Sequence, residues 1–131
     1  MVNAIKYVIG AKGNPTKPLE PKKFFALATS SGEISIRSLS KDIASISTVS
    51  VADVMAVLEG FIEVLPRKLA DGNIVRLGDF GSFRITLKAE GQMLREQVTA
   101  HNIKGVKLHF LPGTVVKNAL KEVSFEKEER R

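Results

Sequence analysis

The chain of 131 residues has no cysteine and no tryptophan, a single tyrosine and seven phenylalanines. The missing cysteine excludes disulfides, thiolate metal sites and thiol nucleophiles together, and it fits a reducing interior. Histidine is scarce, and neither His101 nor His109 has a neighbouring carboxylate cluster that would suggest a zinc site. Long hydrophobic runs are missing too. The apolar stretch after Met1 is interrupted by Lys6 and Lys12, too soon for a membrane span or a signal sequence. A cytoplasmic protein is expected. No nucleophile–base pair or convergent acid cluster can be picked out, so no enzyme activity, cofactor or small-molecule substrate is expected. The letters "GDFG" at 78–81 match a kinase metal loop, but no Gly-x-Gly-x-x-Gly loop or His-Arg-Asp segment accompanies them.

Positive charge is what the chain has in excess. Twenty Lys and Arg against 14 Asp and Glu leave a net +6, with an isoelectric point near 9.7. Such a balance in a small domain favours polyanionic partners. The hydrophobic fraction of 44% is that of a folded protein, and the length suits one domain with a short appendage.

Periodicity supplies the organisation. "IKYVIG" and "FFALATSS" read as short strands, although runs this short are not separable from buried helix by pattern alone. Between them "AKGNPTKPLEPKK" carries Pro15, Pro18 and Pro21 and reads as a loop of polyproline character. A helix is expected over 35–46, where Ile36, Leu39, Ile43 and Ile46 fall at helical spacing. A longer one follows, with Ser50 and Asp53 placed as a capping pair. Its stripe of Val51, Val54, Leu58, Phe61, Ile62, Leu65 and Leu69 is wider than one small sheet covers, which points to a partner chain. Pro66 removes a backbone hydrogen bond, so a kink or early end is expected there, and Asp71-Gly72 supplies a stop.

In "VRLGDFGSFRITL" two alternating runs flank Gly78, Asp79 and Gly81, the pattern of a tight hairpin. Residues 87–105 carry little periodicity. Val106, Leu108 and Phe110 then alternate with Lys107 and His109 as a strand. Pro112-Gly113 leads into a final helix, "TVVKNALKEV", with Val116, Leu120 and Val123 on one face, and "SFEKEERR" reads as a frayed charged tail.

Three pieces in this order, "LSKDIASISTVSVADVMAVLEGFIEVL", "VRLGDFGSFRI" and "FLPGTVVKNAL", are similar to the bacterial histone-like DNA-binding proteins, the HU and integration-host-factor family, over about Ser38 to Val123. The front segment, "KYVIGAKGNPTKPLEPKKFFALATSSGEIS", is foreign to ordinary members and resembles the extended HU-like (HU-HIG) variant of Bacteroidetes. The resemblance implies an α+β fold: an intertwined homodimer with a helical base, a β-sheet saddle and protruding β-arms, plus an added N-terminal β-segment. It divides the chain into a β-extension (1–33), an HU-like DNA-binding domain (34–123) and a charged tail (124–131). It implies a sequence-tolerant architectural protein of the nucleoid whose partner is double-stranded DNA, HU and integration host factor being known minor-groove binders. Phe80, Phe83 and Phe110 would then belong to the dimer core, with base stacking as the other reading of these rings.

Two departures stand out. Asp79 takes the first position of the family's Gly-Phe-Gly corner, with Gly78 one place back. Residues 88–111 hold no proline, although the family's arm tip wedges one between base pairs. Gln92, Met93 and Leu94 lie near the expected tip, either as a replacement apolar wedge or as a simple turn or arm-to-arm packing. The candidate phosphate-binding residues are Arg76, Arg84, Lys88, Arg95, Lys104 and Lys107; a merely solvated sheet face is the alternative. Glu90 and Glu96 dilute the arm's charge. A structural or protein-interaction scaffold on the same fold, with weak or no DNA binding, is therefore the competing function.

Overall fold

The computed structural model describes residues 4–13 and 15–129. It divides into two compact units, one made of Met1–Ser35 with Ala119–Arg131 and the other of Ile36–Asn118.

The first unit is built on a three-stranded sheet. Strands β1 (Ala4–Lys12) and β2 (Lys23–Ala28) pair antiparallel from Tyr7↔Ala28 to Lys12↔Lys23, with the proline-rich segment as their connection. The Leu27 side chain lies over Gly10, where a Cβ would come within 2.4 Å of Leu27 Cδ1 and turn that side chain aside. Ser124–Lys127, read from sequence as part of a frayed tail, is instead strand β6, parallel to β1, so the sheet order is β2-β1-β6. The register sets Phe125 beside Ile5 and Glu126 beside Lys6, and the Glu128 N–H donates to the Tyr7 carbonyl at 2.8 Å. Apolar and opposite-charge cross-strand pairs of this kind are what stabilise a ladder.

The second unit begins with α1 (Ile36–Ser45), one residue shorter at each end than the spacing predicts. Ser40 is fully buried, and its hydroxyl donates to the Ile36 carbonyl one turn back. Helix α2 (Val51–Ala70) starts as its sequence indicates: the Ser50 hydroxyl accepts from the Asp53 N–H at 3.2 Å, and Asp53 places negative charge in the first turn. Pro66 does not end it. The helix runs on to Ala70 because its last turn is secured independently. The Gly72 N–H, at a residue with φ +89°, donates to Leu69 O, the Asn73 N–H donates to Lys68 O, and Leu69 itself is buried. That Schellman closure satisfies the end carbonyls.

Next comes β3 (Val75–Arg76), a 3₁₀ turn over Gly78–Phe80, then β4 (Gly81–Ala89) and β5 (Ile103–Pro112), paired antiparallel in the order β3-β4-β5. The expected hairpin is therefore a corner closed by 3₁₀ bonding, with Gly78 at φ +57° supplying the left-handed residue. Helix α3 (Thr114–Lys121) follows the corner directly.

Apolar side chains are mostly uncovered. Among the described residues only Val54 and Leu69 are buried hydrophobics, while Val57, Phe61, Ile62 and Val64 of α2 and Leu39 and Ile43 of α1 stay exposed. The chain exposes 11403 Å². A globular protein of 14.3 kDa should expose about 6,800 Å², and even two separate globules of these sizes about 8,000 Å².

The tightest backbone approach is at Gly113, where a Cβ would lie 2.2 Å from the Asp79 carbonyl oxygen. Gly113→Ala should therefore destabilise the protein by about 1–3 kcal/mol, the usual cost of overpacking. Urea denaturation checks this; a midpoint equal to the parent's would mean the corner yields freely.

Candidate nucleic-acid interface

The corner fixes the sheet that carries the candidate site. The Leu77 N–H donates to Gly81 O and the Gly113 N–H to Phe80 O, both at 2.9 Å. Gly81 sits at φ +141°, and a side chain there would meet Leu111 O at 2.5 Å and the Phe110 ring at 2.7 Å. Phe110 in turn packs against Phe83 at 4.8 Å and Phe80 at 5.4 Å between ring centroids. Phe80 and Phe83 thus both pack on Phe110 at the corner, with Phe80 and Phe110 still partly exposed.

From this anchor the register runs Phe83↔Phe110, Arg84↔His109, Ile85↔Leu108, Thr86↔Lys107, Leu87↔Val106 and Lys88↔Gly105. Residues opposite one another share a face, and faces alternate along each strand. One face is thus Phe83, Ile85, Leu87, Val106, Leu108 and Phe110. Leu65 and Leu69 of α2 line a groove with members of this apolar set. The other face carries Arg84, Lys88, Lys107 and His109, and Arg76 joins it through its pairing with Ser82. Among the described residues of these paired strands, none on that face is a carboxylate. At about 3.4 Å per residue and 4.8 Å between strands, adjacent Lys and Arg positions, two residues along and one strand across, are about 8 Å apart, comparable to the Debye length at physiological salt. Their fields therefore reinforce one another over a patch roughly 20 Å long.

Four of the six candidates read from sequence, Arg76, Arg84, Lys88 and Lys107, are brought together here. Two are not. Lys104 occupies the irregularity between Lys88↔Gly105 and Ala89↔Ile103, and its ammonium lies 3.4 Å from Glu90. Arg95 lies in a 3₁₀ turn outside the strand register. Residues 90–102, aperiodic in sequence, consist of compact turns in which the Gln97 and Asn102 side-chain oxygens accept from the Leu94 and Thr99 N–H groups. An amide side chain three residues after the donating N–H is the sequence signal for such turns. Met93 is 96% exposed on this segment. His109, which the alternation with Val106, Leu108 and Phe110 already puts on the polar side with Lys107, stands opposite Arg84 in the register. Among the described residues no group of His, Cys, Asp or Glu could hold a metal ion, and no helix is long and apolar enough to cross a membrane.

The family model described as "HU-HIG: HU domain fused to wHTH, Ig, or Glycine-rich motif" matches residues 3–127. The crystal structure of a "Putative bacterial DNA binding protein" from Bacteroides vulgatus is similar with a TM-score of 0.65 at 13% identity, covering 98% of this chain and 50% of that one. At that identity the likeness is one of fold, and this chain spans half the length of that relative. No curated protein matches the sequence.

The two faces of β4 should separate under mutation. Phe83→Ala is expected to lower stability by about 3 kcal/mol, since it removes a half-buried ring that stacks on Phe110. Thermal melting checks this; a variant that melts like the parent while losing a ligand would make Phe83 a ligand-binding residue.

Proposed function

The chain belongs to the HU-HIG family, and from that premise we propose that it is a homodimeric, sequence-tolerant DNA-binding protein of the bacterial nucleoid. The observation that carries this reading is the sheet face bearing Arg76, Arg84, Lys88 and Lys107 with no carboxylate among its described residues, opposite a face that is wholly apolar. Cations on flexible stems bind phosphates and release condensed counterions, which gives affinity with little reading of bases. The Lys and Arg patch positions the duplex, and the β4–β5 strands follow it as arms.

The homodimer is supported by what the single chain leaves uncovered. Phe61, Ile62 and Val64 on α2 and Leu39 and Ile43 on α1 are exposed, and among the described residues only Val54 and Leu69 are buried hydrophobics. The surplus of several thousand Å² over the globular expectation accommodates an obligate interface, which buries about 2,000–5,000 Å² in total. Intertwining through the helices and the apolar sheet face would supply the missing core.

The scaffold alternative draws on one observation, the ion pair that neutralises Lys104 with Glu90 in a segment lacking proline. With no proline wedge, the proposed protein bends DNA less than a proline-tipped relative.

Light scattering at micromolar concentration should return twice the chain mass; a folded monomer would remove the dimer. Replacing Arg84, Lys88 and Lys107 with Gln should reduce the slope of log K against log salt by about 0.9 for each phosphate no longer neutralised, equally on unrelated duplexes. Wild-type protein that fails to bind duplex DNA even at low salt would favour the scaffold.

A further inference from the structure

The sheet of the second unit does not hold all of the chain's excess charge. Residues 1–35 carry five lysines against two glutamates, a net of +3, half of the +6 of the whole chain. Lys6 stands opposite Glu126 in the β1–β6 register, and Lys17 lies 3.5 Å from Glu20. Lys12, Lys22 and Lys23 remain, and they cluster at one end of the β1–β2 hairpin.

Their placement works against the hairpin that bears them. Lys12 and Lys23 are directly opposite one another in the antiparallel register. Cross-strand neighbours hold their Cβ atoms about 4.5–5.5 Å apart, and like charges at that distance destabilise the pair. An anion between two such ammonium groups turns repulsion into attraction. The two lysines line a shallow groove with Gly13, Glu20, Pro21 and Phe25. Glu20, the one carboxylate among them, is already engaged by Lys17. Pro15, Pro18 and Pro21 stiffen the connecting segment, so less conformational freedom is lost when it is bound.

We propose that this hairpin end, through Lys12, Lys22 and Lys23, is a second binding site for the phosphate backbone of duplex DNA, separate from the β3–β4–β5 face. It rests on the DNA-binding reading above and extends it to a segment that ordinary HU proteins lack. A free phosphate or an anionic lipid headgroup shares the chemistry. The commitment to DNA follows from the rest of the chain's cationic surface, since several phosphates spaced along one polymer can be held at once.

The test uses the full chain with Lys12, Lys22 and Lys23 all changed to Gln, beside a second variant with all three changed to Arg. Both are titrated with arbitrary duplex DNA at several salt concentrations and with vesicles containing anionic lipid. The Gln variant should melt no lower than the parent, since a repulsive pair has been removed. Its salt slope should fall by about 0.9 per phosphate, about 2.7 if all three lysines bind, and the Arg variant should restore it. A Gln variant with the parent's affinity and slope overturns the proposal while leaving the DNA-binding reading intact. So does a variant that loses only vesicle binding. Wild-type protein that binds no DNA brings down both.

Discussion

The second unit depends on a close approach into which no side chain fits. Gly113 comes so near the Asp79–Gly81 backbone that its N–H reaches the Phe80 carbonyl, and Gly81 lies under the Phe110 ring. This pins Gly81 opposite Pro112, and the period of two carries the register outward along β4 and β5. Everything chemical follows from that phase. A slip of β5 by one residue would move Lys107 and His109 onto the face that holds Phe83, Ile85 and Leu87, and would set Leu108 and Phe110 beside Arg84 and Lys88. Alternation separates charge from hydrophobe within each strand, and the corner keeps the cationic positions of β4 and β5 on one common face.

The same separation accounts for how little of the single chain is buried. Helices α1 and α2 present apolar stripes on more than one side, and the sheet adds a third apolar surface. Only Val54 and Leu69 are buried among the described hydrophobic residues. A chain with 44% hydrophobic residues and so few of them buried is what the proposed homodimer accounts for. Its longer helix is locally well determined by its caps, whereas most of its large apolar side chains remain exposed in the single chain.

Local chemistry is legible in the sequence. The Ser50 cap, the Gly72 stop and the period-two runs around the corner rest on neighbours within a few residues, and each is found where the pattern puts it. Pro66 misleads because the Gly72 closure, a turn and a half further on, holds the helix despite the lost donor. Strand β6 is hidden because its pairing with β1 joins residues 124–127 to 4–7, and four residues among charges carry no visible period. Of the candidate site, the residue types and the alternation are readable. Which cations share a face is partly readable. That Lys104 sits at a register shift beside Glu90 is not, since it depends on where two strands fall out of step.

One constraint then links the fold to the proposed function: a glycine corner sets the register, the register keeps the cationic positions of both strands on one face, and the proposal assigns a polyanion to that face and a second copy to the other. Lysine acetylation footprinting with and without duplex DNA tests this most directly, because reactive lysines lie both on the cationic sheet face and on the helices. Protection of Lys88 and Lys107 by DNA, with Lys41 and Lys68 still reactive, is the expected result. Protection of Lys41 and Lys68 with Lys88 and Lys107 left reactive would contradict it.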